Sequence, residues 1–332
     1  MQGMNEKDYK LFERLISLNQ KELKSSMEQY VRSKFGKNTI ITKDYIVGIG
    51  EIPIALVAHM DTVFAVPATE LYYDQRKDVM WSPQGLGGDD RAGVFAIIKI
   101  LQSGLRPSVI LTTDEEKGGL GAAALALTDC PIPGLKYMIE LDRRGSNDCV
   151  FYDCYCPEFI EYVESFGFCE KWGSFSDISF LMPEWDICGV NLSVGYDNEH
   201  SYTEILNTKP LYDTIRKVKK MLTVEEIPTF EYAELPMTNY MGSWYGSGYS
   251  SLSTGKICKK CKKSFSEYEM FPAIAANGKT EYYCPDCAVD SIDWCEYCSE
   301  PFVKTRPNQK ICHFCMEDGG LCTTTSNSNS EK

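Results

Sequence analysis

Two histidines and a set of carboxylates stand where apolar runs of the chain end, and this spacing is the first feature with chemical meaning. The run Ile54–Ala58 delivers His59 and Asp61, and Val109–Thr113 delivers Asp114, Glu115 and Glu116. Tyr137–Leu141 delivers Asp142, and Asn191–Gly195 leads to His200. Between them, Gly85-Leu86-Gly87-Gly88 brings the chain to Asp89-Asp90. Zinc takes imidazole nitrogen and carboxylate oxygen, and a catalytic site leaves one position for water. Two such ions need a shared carboxylate between them, and a further carboxylate must stay off the metals to carry a proton. Each piece alone has an ordinary reading: a Glu-Glu pair is usually solvated surface, and Asp after glycine usually starts a helix. The chain has only three histidines, and two of them fall in this set. That concentration favours a metal site.

A second group of ligands is made of sulfur. Of fifteen cysteines, nine lie in Cys258–Cys322, and eight of those form C-x2-C pairs: Cys258/Cys261, Cys284/Cys287, Cys295/Cys298 and Cys312/Cys315. A C-x2-C turn places two thiolates on one ion, and two turns close a tetrahedral structural site, so eight thiolates imply two zinc ions. The gaps of 22, 7 and 13 residues between pairs allow sequential pairing or an interleaved cross-brace. His313, inside one pair, is not needed as a ligand, and Cys322 is left over.

These residues need elements to position them. Three-to-four spacing of apolar residues predicts helix over 9–35, then again over Arg91–Ser103 and Leu120–Leu127. Thr39–Thr42, Tyr45–Ile49, Ile52–Ala58, Ser108–Thr113 and Tyr137–Leu141 read as strands. Strands alternating with helices to about residue 225 predict a three-layer α/β/α domain with a mixed, mainly parallel central sheet, its functional residues at strand ends. The expected organisation is a catalytic domain over 1–235, a Gly/Ser/Tyr-rich linker over 236–256, a zinc-stabilised domain over 257–318 and a disordered tail over 319–332.

The net charge of −13 argues against a general nucleic-acid binder, since phosphate wants a basic face. From Lys256 on, ten Lys and Arg face eleven Asp and Glu, so the small domain reads as a module for protein or substrate recruitment despite four lysines beside its first cysteines. The opening residues are polar and no apolar run is long enough to span a bilayer, which predicts a cytoplasmic protein with no membrane contact.

The order His-x-Asp, Gly-Gly-Asp-Asp-x-Ala-Gly, Glu-Glu-x-Gly, a strand-end Asp and a late His resembles the co-catalytic dizinc exopeptidases, among them leucyl aminopeptidases, tripeptidase T and carboxypeptidase G relatives. The resemblance covers about residues 10–225, and the C-terminal part resembles zinc-ribbon modules in general. It implies one metal held by His59, Asp89 and Asp142 and another by Asp89, Glu116 and His200, with Asp89 bridging and a cis peptide before Asp90. It further implies Glu115 as general base and Asp61 as the partner that fixes the His59 tautomer. Only 57 residues separate Asp142 from His200, too few for the inserted lid domain of some relatives. The expected activity is hydrolysis of a peptide or amide bond by metal-activated water, as an aminopeptidase-type exopeptidase on short peptides, with zinc, cobalt or manganese in the catalytic pair. Deacylation of an N-acyl amino acid is the close alternative, and a non-catalytic binding protein the distant one. Arg143, Asp177 and Tyr196 are weaker candidates for touching substrate, and Ser176 accompanies Asp177 in a segment like one near the family's substrate pocket.

Overall fold

A computed structural model describes residues 4–233, 256–265, 270–277, 279–296 and 301–317. The chain divides into two compact units, Met1–Thr238 and Asn239–Lys332. The expected linker, apart from Lys256, and the expected tail lie outside the described residues.

The first unit begins with two helices, α1 (Glu6–Ile16) and α2 (Gln20–Phe35), where apolar spacing alone predicts one. The break is built by Asn19. Its side chain accepts from the Glu22 backbone while Glu22 returns a bond to the Asn19 N–H, a reciprocal cap that starts a new helix. The interruption has a use. The Leu18 carbonyl accepts from Arg91, and the Gln20 side chain exchanges two hydrogen bonds with Asp114 beside the glutamate pair.

After α2 come β1 (Thr39–Ile41), β2 (Tyr45–Gly48), β3 (Ile52–His59), β4 (Tyr72–Asp74) and β5 (Val79–Trp81), then α3 (Gly88–Gln102) and β6 (Pro107–Thr112). The chain continues through α4 (Leu120–Ala126), β7 (Tyr137–Arg143), β8 (Asp148–Val150), α5 (Pro157–Ser165), β9 (Cys169–Glu170) and α6 (Ile178–Trp185). It ends with β10 (Gly189–Ser193), β11 (Tyr196–Asp197), β12 (Ile205–Asn207) and α7 (Thr208–Met221).

Eight strands form one mixed sheet in the order β1-β2-β6-β3-β7-β10-β8-β9, and its centre, β6-β3-β7-β10, is parallel. All of β6 and the last six residues of β3 are buried, so helices must cover both faces. On one side α3 lies over β3 and β7 with α1 and α7 packed against it; α4 and α6 pack together and reach β2 and β10. The result is the α/β fold the sequence predicts. A second, antiparallel sheet in the order β11-β12-β5-β4 was not foreseen: its strands of two or three residues are too short to show a period.

Gly93 is where α3 meets β7. A side-chain carbon there would lie 2.2 Å from the Leu141 carbonyl oxygen and 2.5 Å from the Asp90 carboxylate, so only glycine lets the helix seat.

The second unit contains the hairpin β13 (Lys256–Ile257) and β14 (Ser264–Phe265). A four-stranded sheet follows, built from β15 (Phe271–Ile274), β16 (Thr280–Tyr283), β17 (Ile292–Trp294) and β18 (Pro301–Val303) in the order β16-β15-β18-β17. Two short helices, α8 (Pro285–Ser291) and α9 (His313–Glu317), carry cysteines. Its buried residues gather around the cysteines rather than in one apolar core. No helix among the described residues is long and apolar enough to cross a membrane.

Candidate metal centre

Parallel strands bring their C-terminal ends to one edge, and the polar residues found there by sequence meet. His59 closes β3, Asp142 lies near the end of β7, and Glu115 and Glu116 form a short 3-10 turn after β6. Asp89 and Asp90 open α3 with non-helical backbone and a cis peptide between them. His200 comes from the loop between β11 and β12.

Asp89 stands at the middle. One of its oxygens lies 3.0 Å from His59 Nε2, the other 3.2 Å from His200 Nε2. His59 Nε2 is also 3.5 Å from Asp142, and His200 Nε2 is 3.0 Å from Glu116. The ligand atoms of His59, Asp89 and Glu116 all lie within 4.8 Å of one another, as do those of His59, Asp90 and Asp142. Asp90 is better placed as a structural clamp, because its oxygens already accept the backbone N–H groups of His59 and Gly93. Asp142 has no such engagement with the backbone and faces His59.

The supporting contacts orient each of these groups. His59 turns its Nδ1 to Asp61 at 3.3 Å, which directs Nε2 toward the carboxylates. Asp61 also accepts the backbone N–H groups of Glu115 and Glu116, both at 3.1 Å, so one side chain sets the imidazole and the glutamate turn together. Glu204 accepts from the backbone of Gly87 and Asp89 at 2.7 and 2.9 Å, fixing the loop that presents Asp89. Tyr196 and Ser176 each donate to Asp142, and Asn191 holds its backbone through two hydrogen bonds of 3.0 Å. Glu204 and Asn191 escape sequence reading because their contacts span dozens of residues and belong to no local motif.

Tyr196 and Asp177, the weaker substrate candidates, are both buried. Tyr196 is buried behind Asp142, and Asp177 is fully buried and bonded to Thr112. Arg143 donates to the Trp172 carbonyl at 3.3 Å, whereas Arg144 pairs with Glu199 at 2.8 Å. A cavity of about 620 Å³ borders Asp61 and Glu116 and is walled in part by Leu18, Val63, Phe64 and Leu86.

The electrostatics ask for cations. Among the described residues, only the two histidines offer positive charge within 4 Å of Asp89, Glu115, Glu116 and Asp142. Burial, with the charges of Asp142, Asp177 and Asp89 outweighing the opposing pull of His59, pushes Glu115 up to about 9. Burial and the neighbouring Asp89 raise Asp142 to about 7. Hydrogen bonds to Asp89 and Glu116 raise His200 to about 11. One oxygen of Glu116 is buried with no hydrogen-bond partner among the described residues. Buried carboxylates so placed are costly unless paired, and the nitrogen and oxygen donors fit a pair of zinc-type ions.

In the second unit, Cys258, Cys261, Cys284 and Cys287 gather their sulfurs within 4.8 Å of one another, and Cys295, Cys312 and Cys315 do the same. Cys298 and Cys322 lie outside the described residues. The grouping follows the order of the pairs rather than an interleaved brace, and His313 is not part of it. Backbone N–H groups of Cys284 and Cys312 point at the sulfurs of Cys258 and Cys295 at 3.4 and 3.3 Å, as suits thiolate ligands.

The α/β fold of the first unit is similar to that of solved aminopeptidases and tripeptidases. A tripeptidase from Staphylococcus aureus superposes with a TM-score of 0.51 at 14% identity, covering 66% of this chain and 98% of its own. A TET aminopeptidase from a marine sediment thaumarchaeote superposes with a TM-score of 0.52 at 13% identity, covering 67% of this chain and 98% of its own. No protein-family model and no curated protein matches the chain.

Proposed function

We propose that the first unit is a dizinc exopeptidase that removes the N-terminal residue of short peptides. The observation that carries this reading is Asp89, whose two carboxylate oxygens face two different imidazoles. Asp89 would bridge the ions, His59 and Asp142 completing one ligand set and Glu116 and His200 the other, with zinc, cobalt or manganese as occupants. Such a pair, when bound, lowers the pKa of water and polarises a carbonyl oxygen.

The remaining work falls to the protein. Glu115 lies 4.0 Å from His59 Nε2, and its carboxylate accepts no hydrogen bond among the described residues. It is therefore available to take the proton of the attacking water and return it to the leaving amine. Asp61 holds it there through the backbone and keeps His59 in the tautomer that presents Nε2. The cavity beside Asp61 and Glu116 offers apolar walls to a substrate side chain.

The cysteine unit would hold two structural zinc ions, one in each cluster, with Cys298 completing the second, and would serve to recruit protein or substrate. The domain plan read here is a catalytic domain over the first unit, a tether and a zinc module, in keeping with two compact units, Met1–Thr238 and Asn239–Lys332.

The test is hydrolysis of a panel of di- and tripeptides and of N-acetyl amino acids by the zinc-loaded chain. Release of N-terminal residues, abolished by a chelator and restored by zinc, is the expected result. Cleavage of the N-acetyl amino acids alone would make the protein a deacylase, and cleavage of neither would leave a binding protein.

A further inference from the structure

The cavity beside Asp61 and Glu116 is not apolar throughout. Leu18, Val63, Phe64 and Leu86 wall part of it, and Gln20, Lys21 and Arg91 line it as well. Arg91 is only 4% exposed, and its Nη2 donates to the Leu18 carbonyl at 3.0 Å. Its Nε and Nη1 have no hydrogen-bond partner, and no carboxylate lies within 4.0 Å of it, among the described residues. Asp61 and Asp90 pull on it from farther off, and both are engaged elsewhere. Asp61 meets His59 and two backbone N–H groups, and Asp90 accepts two more. A buried guanidinium left in this state is costly unless an anion answers it.

The break between α1 and α2 supplies a second signal. α2 is a helix of 16 residues, and its first two, Gln20 and Lys21, line the same cavity. The reciprocal cap satisfies the backbone N–H groups of Asn19 and Glu22. Those of Gln20 and Lys21 meet no acceptor among the described residues. Free N–H groups at the positive end of a helix dipole are a ready seat for an anion. The exposed Lys21 ammonium makes no ion pair among the described residues either.

The acids of the lining do not cancel this charge. Asp61 is held by His59, Asp114 by Lys117 at 2.7 Å and by the Gln20 amide, and Glu116 lies 3.0 Å from His200. The two charges without a close partner, Arg91 and Lys21, are both positive. We infer that this cavity binds a small oxyanion between Arg91, Lys21 and the start of α2. A free inorganic anion such as phosphate offers that chemistry, and so does an acidic side chain on the first residue of a peptide. Only the second source rests on the exopeptidase reading above.

Phosphate is titrated calorimetrically into the zinc-loaded full chain, Lys21→Ala and Arg91→Gln. Saturable binding by wild type should weaken about fivefold in Lys21→Ala and about tenfold or more in Arg91→Gln. Lys10→Ala, which removes an exposed lysine paired with Glu6 on α1, should change nothing. Because Lys21 is exposed, its variant keeps the fold even if Arg91→Gln does not. The metal pair can also take phosphate, so the titration is repeated in a His59→Ala/His200→Ala background. Binding that persists there and weakens with Lys21→Ala supports the inference; binding that vanishes with the metals overturns it. Kinetics then name the source. Cleavage of Glu-Ala about tenfold better than Gln-Ala in kcat/KM, with the ratio near one in Lys21→Ala, makes the anion a substrate side chain. Equal cleavage beside intact phosphate binding makes it a free anion. No phosphate binding and no preference for Glu-Ala overturns the inference, as does binding or preference indifferent to both substitutions. If neither dipeptide is cleaved, the exopeptidase reading fails and the phosphate titration alone decides the anion site.

Discussion

Glu115→Gln should leave a folded, metal-loaded protein whose turnover of a susceptible dipeptide falls about 10²–10⁴-fold, the usual contribution of a positioned general base. The substitution keeps size and shape but removes the ability to take up a proton. Glu115 is held by its own backbone N–H, which donates to Asp61, so the glutamate turn keeps its place when the side chain changes. The side chain makes no ligand-type approach to His200, which lies instead 3.0 Å from Glu116. Metal content should therefore stay at the wild-type value while kcat falls. A variant that loses metal in parallel with activity would make Glu115 a ligand instead.

Asp89→Ala should bring activity to the uncatalysed background. Two histidines converge on this carboxylate, and hydrogen bonds to both, with their charges, outweigh the effect of burial and hold it well below the usual carboxylate range. Without it, two dications would face each other with no anion between them, and the His59 and His200 sets would lose a shared oxygen donor. The variant should retain at most about one ion at the centre. Because Glu204 binds the backbone of Gly87 and Asp89 and not the Asp89 side chain, the loop itself should persist. Retention of both ions and of measurable turnover would remove Asp89 from the bridging position.

Much of this centre was legible in the sequence because parallel strands run apolar to their ends and then stop. Ile54–His59 and Pro107–Thr112 are buried on both faces, so the polar residues within a few positions of their ends, Asp61 and the Glu115–Glu116 pair, must surface at the same edge. The thiolates were legible for another reason: C-x2-C fixes its own geometry locally, whereas spacing left sequential and interleaved pairing open and the two clusters follow the sequential order. What stayed hidden is long-range. Tyr196 reads as an aromatic beside His200, yet it is buried and donates to Asp142, 54 residues earlier. The helix break at Ser17–Asn19 was masked because Leu15, Ile16 and Leu18 keep helical spacing across it, while the deciding signal was the Asn19–Glu22 cap. Glu140 and Asp142 share a strand. They differ in what they meet: Asp142 lies beside His59, while Glu140 is fully buried with neither oxygen hydrogen-bonded among the described residues.

The central claim is a dinuclear metal site in the first unit, separate from the sulfur sites of the second. Metal content per chain, measured for wild type and for a His59→Ala/His200→Ala double variant, tests it most directly. About four ions are expected per wild-type chain, falling to about two in the double variant while the cysteine-bound pair remains. About two ions in both proteins would contradict it, leaving the first unit an exopeptidase fold without the metals its chemistry requires.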